Sequence, residues 1–138
     1  MPTNSSAYLL LFRDSAPDVY KTMSAEQRQR LMEQWNAWYD GLAEQGKVQH
    51  GHPLHGTGRV VSGARGERVM DGPYSESKEA IGGYFLLTVD SLDEATEIAQ
   101  RCPSLPHGMI VEVREIADAC ETLGVRGRPA PAREPAAV

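Results

Sequence analysis

The chain has 138 residues, which is enough for one domain with a single hydrophobic core, and its 41% hydrophobic and 24% charged residues are typical of a soluble globular protein. The formal net charge of −5 disfavours non-specific nucleic-acid binding, which needs a positive surface, and no apolar run is long enough to span a membrane. The amino-terminal residues lack the basic start and long apolar stretch of a secretion signal, so we expect a cytoplasmic protein.

The first half of the chain predicts a strand followed by a long helix. Residues 7–13 form a short apolar run. Ser24 and Gln27 have the spacing of a capping box, and Gly46 supplies the residue type that commonly ends a helix. Between them, an apolar stripe recurs at helical spacing: Leu31, Trp35, Trp38 and Leu42. We expect the two tryptophans to pack in the core, and the alternative is a shelf for a ligand.

The second half predicts a hairpin, a buried strand, a helix and a last strand. Their approximate ranges are 57–62 and 67–71 for the hairpin, 83–89 for the buried strand, 91–102 for the helix and 109–115 for the last strand. After Ile116 the chain is rich in Pro, Ala and Gly. We therefore expect one domain over residues 1–117 and a flexible tail over residues 118–138.

This order of elements, strand, helix, three strands, helix and strand, predicts a ferredoxin-like α+β fold. Two right-handed crossovers place both helices on one face of an antiparallel sheet. The strand over residues 83–89 is apolar on both faces, so the face without helices also needs cover. We expect a homodimer that packs sheet against sheet, with a cleft near the seam.

Three histidines lie close together in the sequence, at His50, His52 and His55. A strand would place His50 and His52 on one face. His-x-His can bind a metal ion, but the nearest carboxylate is Asp71 and no thiolate is close, so solvent exposure or local hydrogen bonding is the favoured interpretation. The two cysteines form neither a disulfide framework nor a CxxC motif. We predict no metal and no cofactor.

The predicted hairpin sets the surroundings of Asp71. If its tight turn centres on residues 64–65, Ser62 lies opposite Glu67 and Gly58 lies opposite Asp71. If the strand continues through Pro53 without a bulge, residue 52 then shares the face of Asp71. The glycines and proline in this region make a bulge a real alternative.

Asp71 has two interpretations. It can close the strand through an Asx-type turn with Gly72 and Pro73, whose backbone angles suit a turn. Alternatively, it lies beside a cleft and orients an imidazole, which would leave the Nε2 atom of that ring free as a general base. On the predicted register His52 approaches Asp71, whereas His55 points to the other face.

The stretches "DGPYSESKEAIGGYFLLTVDSLDEATEIAQRCPS" and "HGMIVEVREI" resemble the YCII-related proteins of the DGPF type. The resemblance covers residues 8–116 and implies a dimeric α+β barrel, with Leu54 and Arg59 at positions that the family tends to keep. The sequence departs from the family at Tyr74, where Phe is usual, and at Glu115, where Pro is usual.

The resemblance implies little about activity, because most members have none assigned. Relatives are often found alongside extracytoplasmic-function sigma factors. One branch of the wider group uses a His–Asp pair in a cleft, and one member of that branch eliminates chloride from a chlorinated aromatic compound. By this resemblance Asp71 is the candidate Asp of such a pair. The resemblance does not assign the histidine; the predicted register favours His52, and His55 is the alternative.

Two hypotheses follow. The first is a homodimer that binds a small aromatic or carboxylate molecule and performs proton transfer or elimination on it through Asp71 and a histidine. Its predicted ligand-binding residues are Arg59, Tyr74, Glu76, Lys78 and Glu79. The second is a non-catalytic regulatory or interaction module whose polar loop contacts a partner such as a sigma factor.

Overall fold

A computed structural model describes residues 6–14, 18–72, 80–117 and 119–126. The elements are β1 (Ser6–Asp14), α1 (Asp18–Lys21), α2 (Ala25–Glu44), β2 (Val48–Pro53), β3 (Arg59–Ser62), β4 (Arg68–Asp71), β5 (Ile81–Val89), α3 (Leu92–Ala99), a 3-10 helix (Leu105–His107), β6 (Met109–Glu115), β7 (Ala119–Cys120) and β8 (Val125–Arg126). None of the helices in the described part of the chain has the length and apolar character needed to cross a membrane.

The main sheet has four antiparallel strands in the order β2-β5-β1-β6. Residues of α2 and α3, Leu42 and Ile98 among them, join the core cluster formed by inward residues of β1 and β5 such as Leu10 and Leu87. Both helices therefore cover one face of the sheet. This arrangement confirms the predicted ferredoxin-like α+β fold.

The second strand of the main sheet is β2. The sequence pattern instead predicts the two hairpin strands as strands of this sheet, and that assignment is wrong. The hairpin of β3 and β4 forms a separate two-stranded sheet, inserted between β2 and β5. The edge strand β2 lacks a clear hydrophobic alternation because its register shifts between Val48 and His50, and Val48 is its one fully buried residue. The β-branched hairpin has a stronger local strand signal, although every residue in it is exposed.

The register of the hairpin also differs from the predicted one, by one residue. Arg59 lies opposite Asp71 and Ser62 lies opposite Arg68. The turn is longer than expected because Gly63 and Gly66 both adopt positive φ angles, of 94° and 69°, and the Gly66 N–H donates to the Gly63 carbonyl. A shift of one residue exchanges the faces of a strand, so the predicted link between Asp71 and the face of His52 does not follow.

Helix α2 begins and ends as its sequence predicts. The Ser24 side chain accepts from the Gln27 N–H, and the Gln27 side chain accepts from the Ser24 N–H, which confirms the capping box. Gly46 follows the helix with a φ of 71°. These local signals place the aromatic stripe of the helix over the sheet.

The aromatic stripe packs around Phe85 of strand β5. The ring centroids of Phe12, Trp38 and Tyr39 lie 5.0, 4.9 and 5.3 Å from that of Phe85. These separations are typical of favourable edge-to-face and tilted aromatic pairs. The expectation that the tryptophans contribute to the core is confirmed, since Trp35 and Trp38 are partly buried against it.

The face of the sheet opposite the helices, which we call the open face, carries both apolar and polar side chains and is only partly covered. Leu86 is buried there, Leu9 and Leu11 are half-buried, and Ile110 is 43% exposed. Residues 119–126 form the short β7–β8 hairpin at the start of the predicted tail. The open face therefore retains apolar surface in the single chain.

The close approach of β2 to Phe85 generates a prediction about stability. A Cβ atom at Gly51 would collide with the Phe85 ring and lie 2.8 Å from the Tyr84 carbonyl oxygen. We expect Gly51→Ala to lower the free energy of unfolding by about 1–3 kcal/mol, as overpacking does. Urea unfolding would measure this change.

The matched control is Gly41→Ala in helix α2, where a Cβ would meet nothing within 4 Å. Alanine favours helix over glycine, so this variant should be more stable by about 0.5–1 kcal/mol. An equal effect of both substitutions would contradict the packing described for Gly51.

Candidate functional site

A cavity of about 490 Å³ lies between helix α2 and the ends of strands β1, β2 and β5, and we call it the aromatic cavity. Its apolar walls include Phe12, Leu31, Met32, Trp35, Tyr39 and Phe85. Its polar side chains include Asp14, Tyr20, Arg28, Asn36 and Ser104. A concave, mostly apolar site with a few polar groups is the usual form of a small-molecule site.

Three glycines contribute to the sheet side of the aromatic cavity. Gly51, Gly82 and Gly83 line it, and they leave open space where larger residues would project side chains. At Gly83 a Cβ would lie 3.0 Å from the His52 carbonyl oxygen, so the two strands approach closely there. The cavity thus depends on the absence of side chains from β2 and β5 at this end of the sheet.

Two hydrogen bonds connect the polar side chains of the aromatic cavity. The Tyr20 hydroxyl donates to Asp14 Oδ1 at 3.2 Å, and the Trp35 Nε1–H donates to Ser104 Oγ at 2.8 Å. Burial raises the pKa of Tyr20, a hydrogen bond from Ser104 lowers it, and the Asp14 charge raises it. Since the net direction is upward, Tyr20 remains a protonated donor at neutral pH.

A second cavity of about 490 Å³ adjoins the first, and we call it the polar cavity. Its lining comes from the segment between β2 and β3 and from the start of β5, and it includes Leu54, His55, Arg59 and Ile81. Asp14 and Gly82 line both cavities. Asp14 therefore lies where the two cavities meet.

Arg59 and Asp71, two of the residues predicted from the sequence, form an ion pair across the hairpin. The Arg59 Nε atom lies 3.9 Å from Asp71 Oδ1, and the two side chains are 76% and 88% exposed. An exposed pair at this distance contributes little to stability. Arg59 also lines the polar cavity together with His55.

His52 lies on strand β2 beside His50 and Tyr84. The His50 and His52 rings stack with centroids 6.4 Å apart, and His50 Nδ1 is 3.0 Å from the Tyr84 hydroxyl. The two histidines thus share one face, as their spacing indicates. Among the described residues, no hydrogen bond or ion pair joins Asp71 to His52 or His55, so the proposed His–Asp pair stays a prediction.

The remaining predicted ligand-binding residues, Tyr74, Glu76, Lys78 and Glu79, lie outside the described residues. Within the part of the chain that is described, no group of three His, Cys, Asp or Glu side chains comes together as a metal site. In the described part of the chain, a ligand would therefore find its polar partners in the lining of the two cavities.

Sequence reasoning missed Asp14, Tyr20 and Ser104. Asp14 carries a weak signal, because it is a lone acid that directly follows an apolar strand. Ser104 carries none, since it lies 69 residues from its partner Trp35. Trp35 has both of the roles considered for it, because it packs against the core and also lines the aromatic cavity.

Comparison with known proteins places this fold in a family. The model of the YCII-related domain matches residues 7–119. The chain belongs to the YCII-related domain family. It is also 31% identical over 113 residues to the uncharacterized protein R00369 of Rhizobium meliloti (strain 1021), a match that covers 79% of this chain and 90% of the relative. The DGPF type of YCII-related domain is compatible with these matches.

The wall of the aromatic cavity generates a prediction about cysteine reactivity. Cys102 is 3% exposed, its Sγ lies 3.6 Å from the sulfur of the cavity residue Met109, and burial raises its pKa to about 11. The thiolate is the reactive form, so labelling of Cys102 by a maleimide should be slow at pH 8 and faster as the pH rises toward 11. Mass spectrometry would count the labels.

Cys120 is exposed and provides the internal comparison. We expect one fast label on the folded chain, two on the unfolded chain, and none on folded Cys120→Ser. Rapid labelling of the folded Cys120→Ser variant at pH 8 would show that Cys102 is not buried as described.

Proposed function

We propose that this YCII-related protein is a homodimer that binds a small aromatic carboxylate and promotes proton transfer or elimination on it. The observation that carries the proposal is the junction of the aromatic cavity with the polar cavity at Asp14. A ligand with an aromatic ring in the first cavity can extend its polar group into the second.

The shape and lining of the aromatic cavity support the first half of the proposal. Its volume of about 490 Å³ is within the usual range for small-molecule sites. The rings of Phe12, Trp35, Tyr39 and Phe85 offer both faces and edges, which favours a planar aromatic ligand over a flexible aliphatic one.

Two arginines support the preference for a carboxylate. Arg28 lines the aromatic cavity and Arg59 lines the polar cavity. The guanidinium group binds carboxylates through two parallel hydrogen bonds. The ion pair of Arg59 with Asp71 is long and exposed, so a ligand carboxylate can compete for Arg59 at little cost.

The proposal includes the catalytic assignment predicted from the sequence, in which Asp71 acts with His52 or His55. Asp71 lies on the exposed hairpin, whereas His55 lines the polar cavity. A ligand held by Arg59 would lie near both the Arg59–Asp71 pair and His55. Tyr74, Glu76, Lys78 and Glu79 remain the further ligand-binding residues of the proposal.

Binding is tested by calorimetry with benzoate, phenylacetate and the uncharged benzyl alcohol. We expect the two carboxylates to bind more tightly than the alcohol. Arg28→Gln should weaken carboxylate binding by about tenfold or more, the usual effect of losing a charged hydrogen bond, and should leave binding of the alcohol unchanged. Leu31→Trp should block all three ligands, because Leu31 lines the aromatic cavity.

The matched control is Leu92→Trp, which adds the same ring at a residue of α3 that is 52% exposed. It should not change binding. If none of the compounds binds, or if Leu31→Trp binds them as the wild type does, the small-molecule proposal fails, and the non-catalytic module linked to a sigma factor becomes the better hypothesis.

The homodimer is proposed from the open face of the sheet. Leu9, Leu11 and Ile110 retain exposed apolar surface there, and a two-fold axis would bury the same patch on both subunits. Light scattering at micromolar concentration should give the mass of a dimer. Ile110→Glu should give a folded monomer, since it places a charge in the apolar interface.

The control for the dimer is Leu123→Glu, which adds the same charge at a residue that is 73% exposed and outside the main sheet. It should remain dimeric. A wild-type protein that is monomeric and well folded would contradict the proposed assembly.

A further inference from the structure

Asp14 is the acidic residue that lines the two cavities among the residues that the structure describes. It is the last residue of β1, where it lies opposite Met109 of β6. Its side chain is half-buried, in contrast to the exposed Asp71. A half-buried carboxylate between an apolar and a polar cavity is well placed to meet a ligand that occupies both.

A β-bulge leaves space beside the Asp14 carboxylate. Phe12 lies opposite Gly83 and Arg13 lies opposite Ile81, so Gly82 has no Cα partner on β1. A Cβ atom at Gly82 would lie 3.3 Å from Asp14 Oδ2. Bulges often redirect residues beside active sites, and this one keeps the space next to Oδ2 free of a side chain.

A hydrogen bond orients the other oxygen of Asp14. The Tyr20 hydroxyl donates to Asp14 Oδ1 at 3.2 Å. Beside this pair, the indole N–H of Trp35, which can only donate, donates to Ser104 Oγ at 2.8 Å. The bond from Tyr20 holds Oδ1 in place, and Oδ2 lies on the side of the bulge, beside Gly82.

From this geometry we infer that Asp14, in place of Asp71, is the proton-accepting residue of the site, and that its substrate is a small aromatic carboxylate whose acidic C–H bond lies between the ring and a carbonyl group. The inference rests on the proposed function, because it takes the two cavities as the binding site. In the step, Asp14 Oδ2 takes the proton of the C–H bond, and the electron pair of that bond moves into the neighbouring carbonyl group to form an enolate, whose reprotonation by Asp14 returns the substrate.

Phenylpyruvate is the probe, because it joins an aromatic ring, an acidic CH₂ group and a carboxylate. In D₂O the enolate takes a deuteron back, so proton NMR records exchange as loss of the CH₂ signal without an added reactant. We expect the wild-type protein to accelerate this exchange above the buffer rate. Asp14→Asn should reduce the acceleration by about 100-fold or more, the usual contribution of a general base.

The control variant is Asp93→Asn, the same change at an exposed residue of α3 that lines neither cavity. It should exchange as the wild type does. Asp14→Ala with added formate provides a second route, since formate that occupies the vacated space should restore part of the exchange. Restoration supports a chemical role for the carboxylate, whereas its absence at saturating formate, with the variant folded, opposes that role.

Tyr20 is inferred to be a positioning residue, because its hydroxyl donates to Asp14 Oδ1. Tyr20→Phe removes this donor, so exchange at saturating phenylpyruvate should slow, while the affinity measured by calorimetry stays that of the wild type. A wild-type rate of exchange in Tyr20→Phe would contradict the positioning role.

The outcomes separate the inference from the proposed function. If calorimetry shows that phenylpyruvate binds but Asp14→Asn exchanges as fast as the wild type, the inference is overturned and the binding proposal stands. If benzoate binds and phenylpyruvate does not, the assigned substrate class is wrong. If no aromatic carboxylate binds, both proposals fail together.

Discussion

The ring of Phe85 lies between the sheet and helix α2, and its packing sets the position of the whole helical face. Its neighbours Phe12, Trp35, Trp38 and Tyr39 have ring centroids 4.9 to 6.1 Å away. The same ring needs a glycine across from it on β2, because a side chain at Gly51 would enter its space. The helix, the edge strand and the floor of the aromatic cavity therefore depend on one another, as expected in a close-packed interior.

The candidate site lies where the packing of α2 against the sheet stops. Near the end of β1 the neighbouring strands carry Gly51, Gly82 and Gly83, so they offer no side chains for the residues of α2 to pack against. The space that remains is lined by the same aromatic residues that form the core. Because Asp14 ends the strand at this point, the apolar pocket has a carboxylate at its edge, where the polar cavity begins.

The inserted hairpin contributes to the lining of the candidate site and not to the core. Val61 and Met70 of the hairpin are 62% and 59% exposed, and neither belongs to the core cluster. An isolated two-stranded hairpin is only marginally stable in water. Its base, at Arg59 and Gly72, nevertheless lines the polar cavity, so the hairpin can affect the site without supporting the fold.

The sequence by itself determined the elements whose signals are local. The capping box of Ser24 and Gln27, the aromatic stripe of α2 and the alternation of strands with two main helices follow from neighbouring residues, and they suffice for the fold class. The family follows from motifs in the second half of the chain. Only the tertiary structure decided that β2 is the edge strand, that Tyr20 donates to Asp14, and that Trp35 donates to Ser104. The physical reason is that a bulge removes the period from an edge strand, and that contacts across 69 residues leave no periodic pattern.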